Sequence, residues 1–323
     1  MKLAILGAGA IGGFLGGRLA RAGEQVVLIA RGRNLEALQR QGLRVIEAGD
    51  EYTVKPEATD DFGALGGVDA VFLTVKAHGV PPIVERLRHA LGDNTAVVSA
   101  QNGIPWWYFQ RHGGEFEGMH LNTVDPGGII AATIDPTRVI GCAVYPAANL
   151  VDPGVVQHVE GDRFSLGELD GSQSERCLAI SQALTKAGLE APVQANIRDE
   201  IWVKLLGNAV FNPMSALTHA TLDRMATDPL AAPVVRGAME EVAAVARGVG
   251  VEIPVSIDRR IRGAARVGPH KTSMLQDLET GRPLEIDALV GSVVELADRL
   301  KIPVPYLRTL YACVKELEAS ERH

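Results

Sequence analysis

Residues 1–31, MKLAILGAGAIGGFLGGRLARAGEQVVLIAR, contain the strongest indication of the fold of this chain. Residues 3–6 form a short apolar run that is typical of a buried parallel strand. The run leads into GAGAIG, a G-x-G-x-x-G spacing at residues 7–12, and then into a helical pattern. A second apolar run follows at residues 25–30. A strand, a glycine loop, a helix and a second strand in this order are typical of a dinucleotide-binding unit.

Each glycine of the loop has a physical role. Gly7 permits a tight turn out of the strand, Gly9 lets a pyrophosphate approach the backbone, and Gly12 lets the helix pack close to the sheet. The start of the helix adds free N–H groups and a partial positive charge. The alternative is a glycine turn with a purely structural role. The predicted cofactor-binding residues of the loop are Gly7, Ala8, Gly9, Ala10, Ile11 and Gly12.

The end of the second strand indicates which dinucleotide is bound. An acidic residue about 20 positions after the loop would bind the ribose 2′-hydroxyl of NAD. This chain has Arg31, Gly32 and Arg33 there instead. A guanidinium binds a phosphate through two hydrogen bonds, whereas a carboxylate would repel it. We therefore predict NADP(H) as the cofactor, with Arg31 as the main selector. The alternative is that these arginines form a solvated turn.

The composition narrows the class of protein. The chain has 323 residues, of which 46% are hydrophobic and 22% charged, so it can form a large core and two domains. Its formal charge of −7 gives no electrostatic reason to expect nucleic acid or an anionic membrane as a partner. The three cysteines lack metal-ligand spacing and fit a reducing cytoplasm. We expect no signal peptide, membrane helix or metal site.

Strand and helix signals alternate through the rest of the first half. Asn34 is a plausible N-cap of a short helix. The expected elements are a helix to residue 40, a hairpin of residues 43–47 and 51–55, strands at 70–75, 96–100, 139–145, 155–160 and 163–166, a turn at 150–154, a helix at 177–187 and a short strand at Val193. Because no helix separates the three strands after residue 139, we expect them to pair antiparallel at one edge of the sheet.

Two polar residues follow neighbouring strands of the expected sheet. Lys76 comes after the strand at 70–75, and Asn102 follows the strand at 96–100. Ligands bind at the carboxyl ends of parallel strands. We therefore expect both side chains to line the nicotinamide half of the cofactor. The alternatives are a solvated loop lysine and a simple Asn-Gly turn.

Four consecutive aromatic residues, WWYF at 106–109, stand out in a chain that is only 5% aromatic. Consecutive side chains cannot all face one way, so we expect some of them to contact solvent, a ligand or another subunit. The segment is then a wall of the substrate pocket, a lid or a contact surface. The alternative is a hydrophobic plug.

From residue 196 onward the pattern is helical. The first helix contains a stripe of polar residues spaced four apart, namely Glu200, Lys204, Asn208 and Asn212. Such a stripe on an otherwise apolar helix needs water or a ligand as its partner. Pro213 is expected to bend or end the helix after Asn212. A lysine with two amides suits an oxygen that gains negative charge. The alternative is a surface stripe with a Glu200–Lys204 ion pair.

Taken together, these motifs resemble the ketopantoate reductases (2-dehydropantoate 2-reductases). The resemblance covers nearly the whole chain and rests on five motifs, which are GAGAIG at 7–12, TVKA around Lys76, QNG around Asn102, EIWVKLLGNAVFNP at 200–213 and SMLQDLETGRPLEID at 273–287. The last two are far more specific than the glycine loop. The family is described as an NADPH-binding Rossmann domain followed by a helical domain. It reduces 2-ketopantoate to D-pantoate on the way to pantothenate and coenzyme A.

The resemblance implies a role for each site residue. Lys204 would donate a proton to the ketone oxygen, while Asn208 and Asn212 would bind the substrate. Ser273 would hold the substrate carboxylate. The implied cofactor contacts outside the glycine loop and Arg31 are Lys76, Asn102, Ala147 and Glu285. An asparagine of the family pattern is not evident after Asn212, and the aromatic segment also departs from the simplest members.

The sequence thus predicts an α/β fold class, with an N-terminal Rossmann-type NADP-binding domain at residues 1–195 and a C-terminal all-helical substrate-binding and catalytic domain at residues 196–323. The expected function is NADPH-dependent reduction of 2-dehydropantoate in the cytoplasm, by a homodimer on family analogy. One alternative is reduction of another branched or aromatic 2-oxo acid. The other is a non-catalytic NADPH-sensing regulator, which would need no proton donor such as Lys204.

Overall fold

The computed structural model describes residues 1–321. Within them the chain divides into two compact units. The first unit comprises Met1–Gln101, Phe109–Gly118 and Gly128–Ile197, and the second comprises Asn102–Tyr108, Met119–Gly127 and the chain from Arg198 onward. In the described residues, no helix combines the length and the apolar character needed to cross a membrane.

The first unit contains every strand of the described chain. The strands are β1 (Lys2–Leu6), β2 (Gln25–Ile29), β3 (Leu43–Glu47), β4 (Asp50–Val54), β5 (Glu57–Thr59), β6 (Ala70–Leu73), β7 (Ala96–Ser99), β8 (Val139–Val144), β9 (Ala147–Asp152), β10 (Val155–Glu160) and β11 (Phe164–Glu168). The helices of this unit are α1 (Ala10–Arg21), α2 (Gly32–Gln41), α3 (Val84–Ala90), α4 (Ile129–Thr133) and α5 (Glu175–Lys186).

The main sheet has seven strands in the order β11-β8-β7-β6-β1-β2-β5. All neighbouring strands are parallel except β11, which pairs antiparallel with β8. The central strands β1, β6 and β7 are buried along nearly their whole length, as continuous apolar runs require. The α/β class and the antiparallel edge at β8 are therefore confirmed.

A second sheet of four strands, in the order β4-β3-β10-β9, corrects one expectation. The β3–β4 hairpin is confirmed. The strand at residues 155–160 does not join the edge of the main sheet, because β10 pairs with β9 and β3. The expected turn at 150–154 is also wrong in extent, since β9 runs to Asp152. None of the residues of β9 is fully buried. The strand therefore lacks the alternation of apolar and polar residues by which a strand is predicted from sequence.

Glycines on both faces of α1 let this helix pack against both sheets. A Cβ atom on Gly16 would lie 2.7 Å from the Leu28 side chain of the main sheet. On the opposite side, a Cβ atom on Gly13 would lie 2.6 Å from Val156, and one on Gly17 would lie 2.5 Å from Val45. Real Cβ atoms do not approach other atoms this closely, so the GGFLGG run sets the spacing of the sheet–helix–sheet layers.

The second unit is built from helices. They are α6 (Ile197–Thr218), α7 (Leu222–Thr227), α8 (Ala231–Gly248), α9 (Ile257–Val267), α10 (Ser273–Glu279), α11 (Ser292–Leu300) and α12 (Pro305–Ser320). A π-helical turn, Asp287–Gly291, leads directly into α11.

Pro213 does not end the first helix of this unit. It lies inside α6, which continues to Thr218. The flanking residues Asn212 and Met214 are only 4% and 6% exposed. Burial on both sides of the proline stabilises the helix despite the missing backbone donor.

Candidate functional site

The glycine loop between β1 and α1 has the geometry that its spacing predicts. Gly7 has a φ of +110°, and a Cβ atom there would lie 2.7 Å from Val75. A Cβ atom on Gly12 would lie 2.1 Å from the Gly7 carbonyl oxygen. Gly9 differs, because a Cβ atom there would have no neighbour within 4 Å. Two glycines are thus required by the fold, while the third leaves open space beside the backbone.

The first turn of α1 completes this anion-binding geometry. Gly9 is the N-cap residue, and no side chain caps the helix. The predicted contacts Ala10 and Ile11 are the first residues of α1. Uncapped N–H groups at a helix start bind phosphate oxygens. The loop therefore fits the pyrophosphate of a dinucleotide.

Two side chains outside the glycine motif hold the loop. The Thr74 hydroxyl donates to the Gly7 carbonyl oxygen at 2.9 Å, and the Asn34 amide donates to the Ala8 carbonyl oxygen at 2.7 Å. Asn34 is not the N-cap of α2, since that position is Arg31 and carries no side-chain cap. No sequence signal indicates these two contacts with the loop, because both partners are backbone atoms distant in the chain.

The remaining predicted cofactor contacts of the first unit lie on three separate elements. Arg31 is exposed at the carboxyl end of β2, and no acidic residue lies in the first turn of α2. Lys76 is partly buried after β6. Ala147 begins β9 and lies opposite Glu160 in the second sheet. Arg31 is therefore exposed and positively charged, as a residue that binds a phosphate group must be.

In the second unit, a hydrogen-bonded row joins three of the predicted residues. The Lys204 ammonium donates to Asn102 Oδ1 at 2.5 Å. The same amide then donates from Nδ2 to Glu285 Oε2 at 3.2 Å. Asn102 therefore places a cation on its acceptor side and a carboxylate on its donor side. This arrangement gives the Lys204 ammonium a defined direction.

The backbone after Asn102 is anchored to the π-helical turn. Gly103 has a φ of +85°, and a Cβ atom there would lie 2.0 Å from the Ala288 carbonyl oxygen. That oxygen accepts the Ile104 N–H at 3.1 Å. The π-helical turn is itself held to α12, because the Tyr311 hydroxyl donates to Asp287 Oδ1 at 2.6 Å. Only glycine at position 103 lets Asn102 reach Lys204 and Glu285 together.

A second contact joins the far end of the polar stripe to α10. Asn212 Nδ2 donates to the Ser273 hydroxyl at 3.4 Å, and Asn212 is 4% exposed. Asn208 is partly buried one helical turn from both Lys204 and Asn212. At a rise of about 1.5 Å per residue, the stripe from Lys204 to Asn212 spans roughly 12 Å. This length suits a small molecule with a polar group at each end.

The aromatic segment at 106–109 is buried inside the protein. Trp106, Trp107, Tyr108 and Phe109 are 5%, 1%, 0% and 2% exposed, so the expectation of solvent contact is wrong. Trp202 donates to the Tyr108 hydroxyl at 2.6 Å, and Arg198 donates to the Tyr108 carbonyl oxygen at 2.7 Å. Burial raises the pKa of the Tyr108 hydroxyl, which remains protonated. These contacts tie the segment to the first turns of α6 and favour the plug over a lid.

Within residues 1–321, no group of three or more His, Cys, Asp or Glu side chains could hold a metal ion.

The chain is similar in sequence to known proteins along its whole length. The family model described as ketopantoate reductase PanE/ApbA matches residues 3–105, and the model of its C-terminal part matches residues 196–318. The 2-dehydropantoate 2-reductase of Mesorhizobium japonicum is 50% identical over 318 residues, which cover 98% of each chain. That of Pyrococcus horikoshii is 30% identical over 320 residues, covering 99% of this chain and 98% of the relative.

Solved structures share the fold. A chain from Ralstonia solanacearum MolK2, provisionally named a ketopantoate reductase, has a TM-score of 0.94 at 41% identity and covers 99% of this chain and 98% of its own. D-mandelate dehydrogenase in a ternary structure with NADH and anilino(oxo)acetate has a TM-score of 0.84 at 23% identity over 100% of both chains. The second likeness concerns the fold alone.

Proposed function

The chain belongs to the ketopantoate reductase family, and we propose that it reduces 2-dehydropantoate to D-pantoate with NADPH, in the pathway to pantothenate and coenzyme A. The observation that carries this proposal is the row Lys204–Asn102–Glu285, found in a chain that also has an intact dinucleotide loop. The relative from Mesorhizobium japonicum, whose name states this activity, is 50% identical to the chain.

In this proposal the first unit holds the cofactor. The loop of residues 7–12 leaves space for the pyrophosphate, and the first turn of α1 binds it through backbone N–H groups. The N–H groups of Gly7, Ala8 and Gly9 instead donate to backbone carbonyl oxygens and shape the loop. Arg31 binds the 2′-phosphate, while Lys76 and Ala147 are further contacts. The bound cofactor supplies the hydride that reduces the ketone carbon. Asn102 and Glu285, which also belong to this proposed set, lie in the second unit.

Lys204 is the proposed proton donor. Hydride addition to a ketone carbon builds negative charge on the ketone oxygen, and a nearby ammonium stabilises that charge and delivers the proton. Asn102 holds the ammonium through its 2.5 Å hydrogen bond. Glu285 accepts a hydrogen bond from the opposite end of the same amide, so a flip of the amide would lose both hydrogen bonds.

The rest of the polar stripe is the proposed substrate receptor. Asn208 and Asn212 offer amide donors and acceptors to the hydroxyl and oxo groups of the substrate. Ser273, in contact with Asn212, offers its hydroxyl to the carboxylate. A 2-oxo acid needs this second polar contact because its carboxylate must be hydrogen-bonded when it leaves water.

The proposal extends to the domain boundary, the cellular location and the oligomeric state. We place the boundary between the NADP-binding and the helical domain at residues 195 and 196. We infer a cytoplasmic enzyme, because its three cysteines are free thiols. A homodimer is proposed on analogy with the family.

The test is loss of reduced-nicotinamide absorbance with purified protein, NADPH and a panel of 2-oxo acids. We expect 2-dehydropantoate to give the highest kcat/KM, and NADH to serve poorly in place of NADPH. A higher kcat/KM for a bulkier branched or aromatic 2-oxo acid would retain the chemistry of Lys204 but overturn the substrate. NADPH binding without turnover of any acid would favour a sensing regulator.

A further inference from the structure

Asn34 makes two hydrogen bonds that use opposite ends of its amide. Nδ2 donates to the Ala8 carbonyl oxygen in the glycine loop at 2.7 Å. Oδ1 accepts the backbone N–H of Gly154, in the turn between β9 and β10, at 2.8 Å. The side chain is partly buried on the first turn of α2. One residue therefore ties the loop of the main sheet to a turn of the second sheet.

The bond to Ala8 fixes one peptide plane of the loop. The Ala8 carbonyl and the Gly9 N–H belong to the same planar peptide, and that N–H donates to the Gly7 carbonyl oxygen at 2.7 Å. The bond from Asn34 therefore holds the opposite, carbonyl end of the same peptide. Gly9 is also the loop residue with open space where its side chain would be. A carbonyl oxygen turned towards that space would repel a phosphate, and glycine opposes such a rotation only weakly.

The bond to Gly154 fixes Asn34 in turn. Gly154 has a φ of +75°, and a Cβ atom there would lie 3.3 Å from the Cβ of Ala37, three residues after Asn34. The turn thus packs directly on α2. The Gly154 carbonyl oxygen accepts the Arg44 N–H at 2.9 Å, which joins the turn to β3. The amide of Asn34 is therefore held from the side opposite the loop.

We propose that Asn34 is a positioning residue for dinucleotide binding, which keeps the Ala8 carbonyl oxygen turned away from the open space beside Gly9 that the pyrophosphate would enter. This inference rests on the proposed NADPH site. It assigns to the second sheet a role in cofactor binding, because the second sheet fixes Asn34 through Gly154.

The experiment compares the NADPH dissociation constants of the wild type, Asn34→Ala and Asn34→Asp, with Gln39→Ala as the matched control. Gln39 lies on the same helix and its amide also donates to a backbone carbonyl, that of Ala58 in β5, at 3.0 Å. The aspartate variant keeps an acceptor for Gly154 but has no donor for Ala8. It therefore separates the two bonds, and it carries the test if the alanine variant does not fold.

We expect the NADPH dissociation constant to rise about tenfold in both Asn34 variants, which is the scale of one hydrogen bond. The KM for the 2-oxo acid, and kcat at saturating NADPH, should change by less than about twofold, because the reacting groups lie elsewhere. Gln39→Ala should leave all three constants at their wild-type values.

Other results would overturn the inference. An Asn34→Ala protein that loses thermal stability but binds NADPH as tightly as the wild type would show a purely structural residue. An equal loss of affinity in Gln39→Ala would show a general effect of α2. If the wild-type protein itself did not bind NADPH, the proposed function would fail first, and this inference with it.

Discussion

The helices α1 and α6 each contribute to the proposed site, yet they do so by opposite means. In α1 the proposed positions are glycines, which contribute by the side chain they lack. In α6 the proposed positions are Lys204, Asn208 and Asn212, which contribute by the side chain they carry. In the backbone site, the fold leaves no space for a side chain at Gly7 or Gly12, while the space beside Gly9 is open for a ligand. In the side-chain site, a substitution should leave the fold intact and remove only the chemical group that the side chain supplied.

The first and strongest prediction is that a substitution in α6 impairs catalysis without impairing folding. Lys204→Ala should lower kcat by about 10²–10⁴-fold, the usual contribution of a general acid. NADPH affinity and thermal stability should stay near their wild-type values. The control is Lys186→Ala, an exposed lysine of α5 that pairs with Glu24 at 2.9 Å. Near-normal turnover in steady-state assays of Lys204→Ala would remove it as the proton donor.

The second prediction is that two glycines of the same loop differ in whether they matter for stability or for NADPH binding. Gly12→Ala should lower the free energy of unfolding by about 1–3 kcal/mol or more, because its methyl group meets the Gly7 carbonyl oxygen. Gly9→Ala should cost less than about 1 kcal/mol, since its methyl group meets nothing, and should instead weaken NADPH binding. Urea unfolding and NADPH titration of both variants check this. Equal stability losses would contradict the division of roles.

A third effect concerns a carboxylate that stabilises the second unit. Glu295 on α11 accepts the N–H groups of Asn122 and Thr123 at 3.0 Å each and pairs with Arg299 at 2.8 Å. Burial raises its pKa, but these hydrogen bonds outweigh burial and hold the pKa below the ordinary 4.5. The folded state therefore favours the ionised form. The stabilisation is complete above pH 4.5 and is lost as the pH falls through the lowered pKa.

Glu295→Gln should thus lower the free energy of unfolding by about 1 kcal/mol at neutral pH. The difference from the wild type should narrow as the pH falls towards 4 and below. Exposed Glu252→Gln serves as the control and should change little at any pH. Denaturant unfolding across the acid range measures this, and parallel curves for wild type and Glu295→Gln would refute it.

The smallest effect distinguishes the thiols of the two units. Cys142 and Cys177 are buried in the first unit, and burial raises the pKa of the Cys177 thiol to about 12. Cys313 is exposed on α12 of the second unit. A thiol reagent at mildly alkaline pH should modify Cys313 alone in the native protein, and all three cysteines after unfolding. Mass spectrometry of the labelled peptides would show modification of Cys177 if the first unit opened readily.

Much of α1 and its surroundings is predictable from the sequence, because the information is local. The strand, the glycine spacing and the helix lie within residues 1–31, and each glycine role follows from its own backbone. The same holds for the polar stripe of α6, which periodicity reveals. The aromatic segment was not predictable in this way. Its burial depends on Trp202 and Arg198, whose contact with Tyr108 no local pattern encodes.

The α/β class, the glycine loop and the residues of the polar stripe follow from the sequence alone, because strand and helix periodicity and glycine geometry act over short stretches. The contacts of those residues depend on the tertiary structure. Lys204 meets Asn102 across 102 positions, and Asn102 meets Glu285 across 183. The second sheet and the two hydrogen bonds of Asn34 likewise join distant segments through backbone groups. Every residue carries these groups, so no sequence pattern distinguishes them.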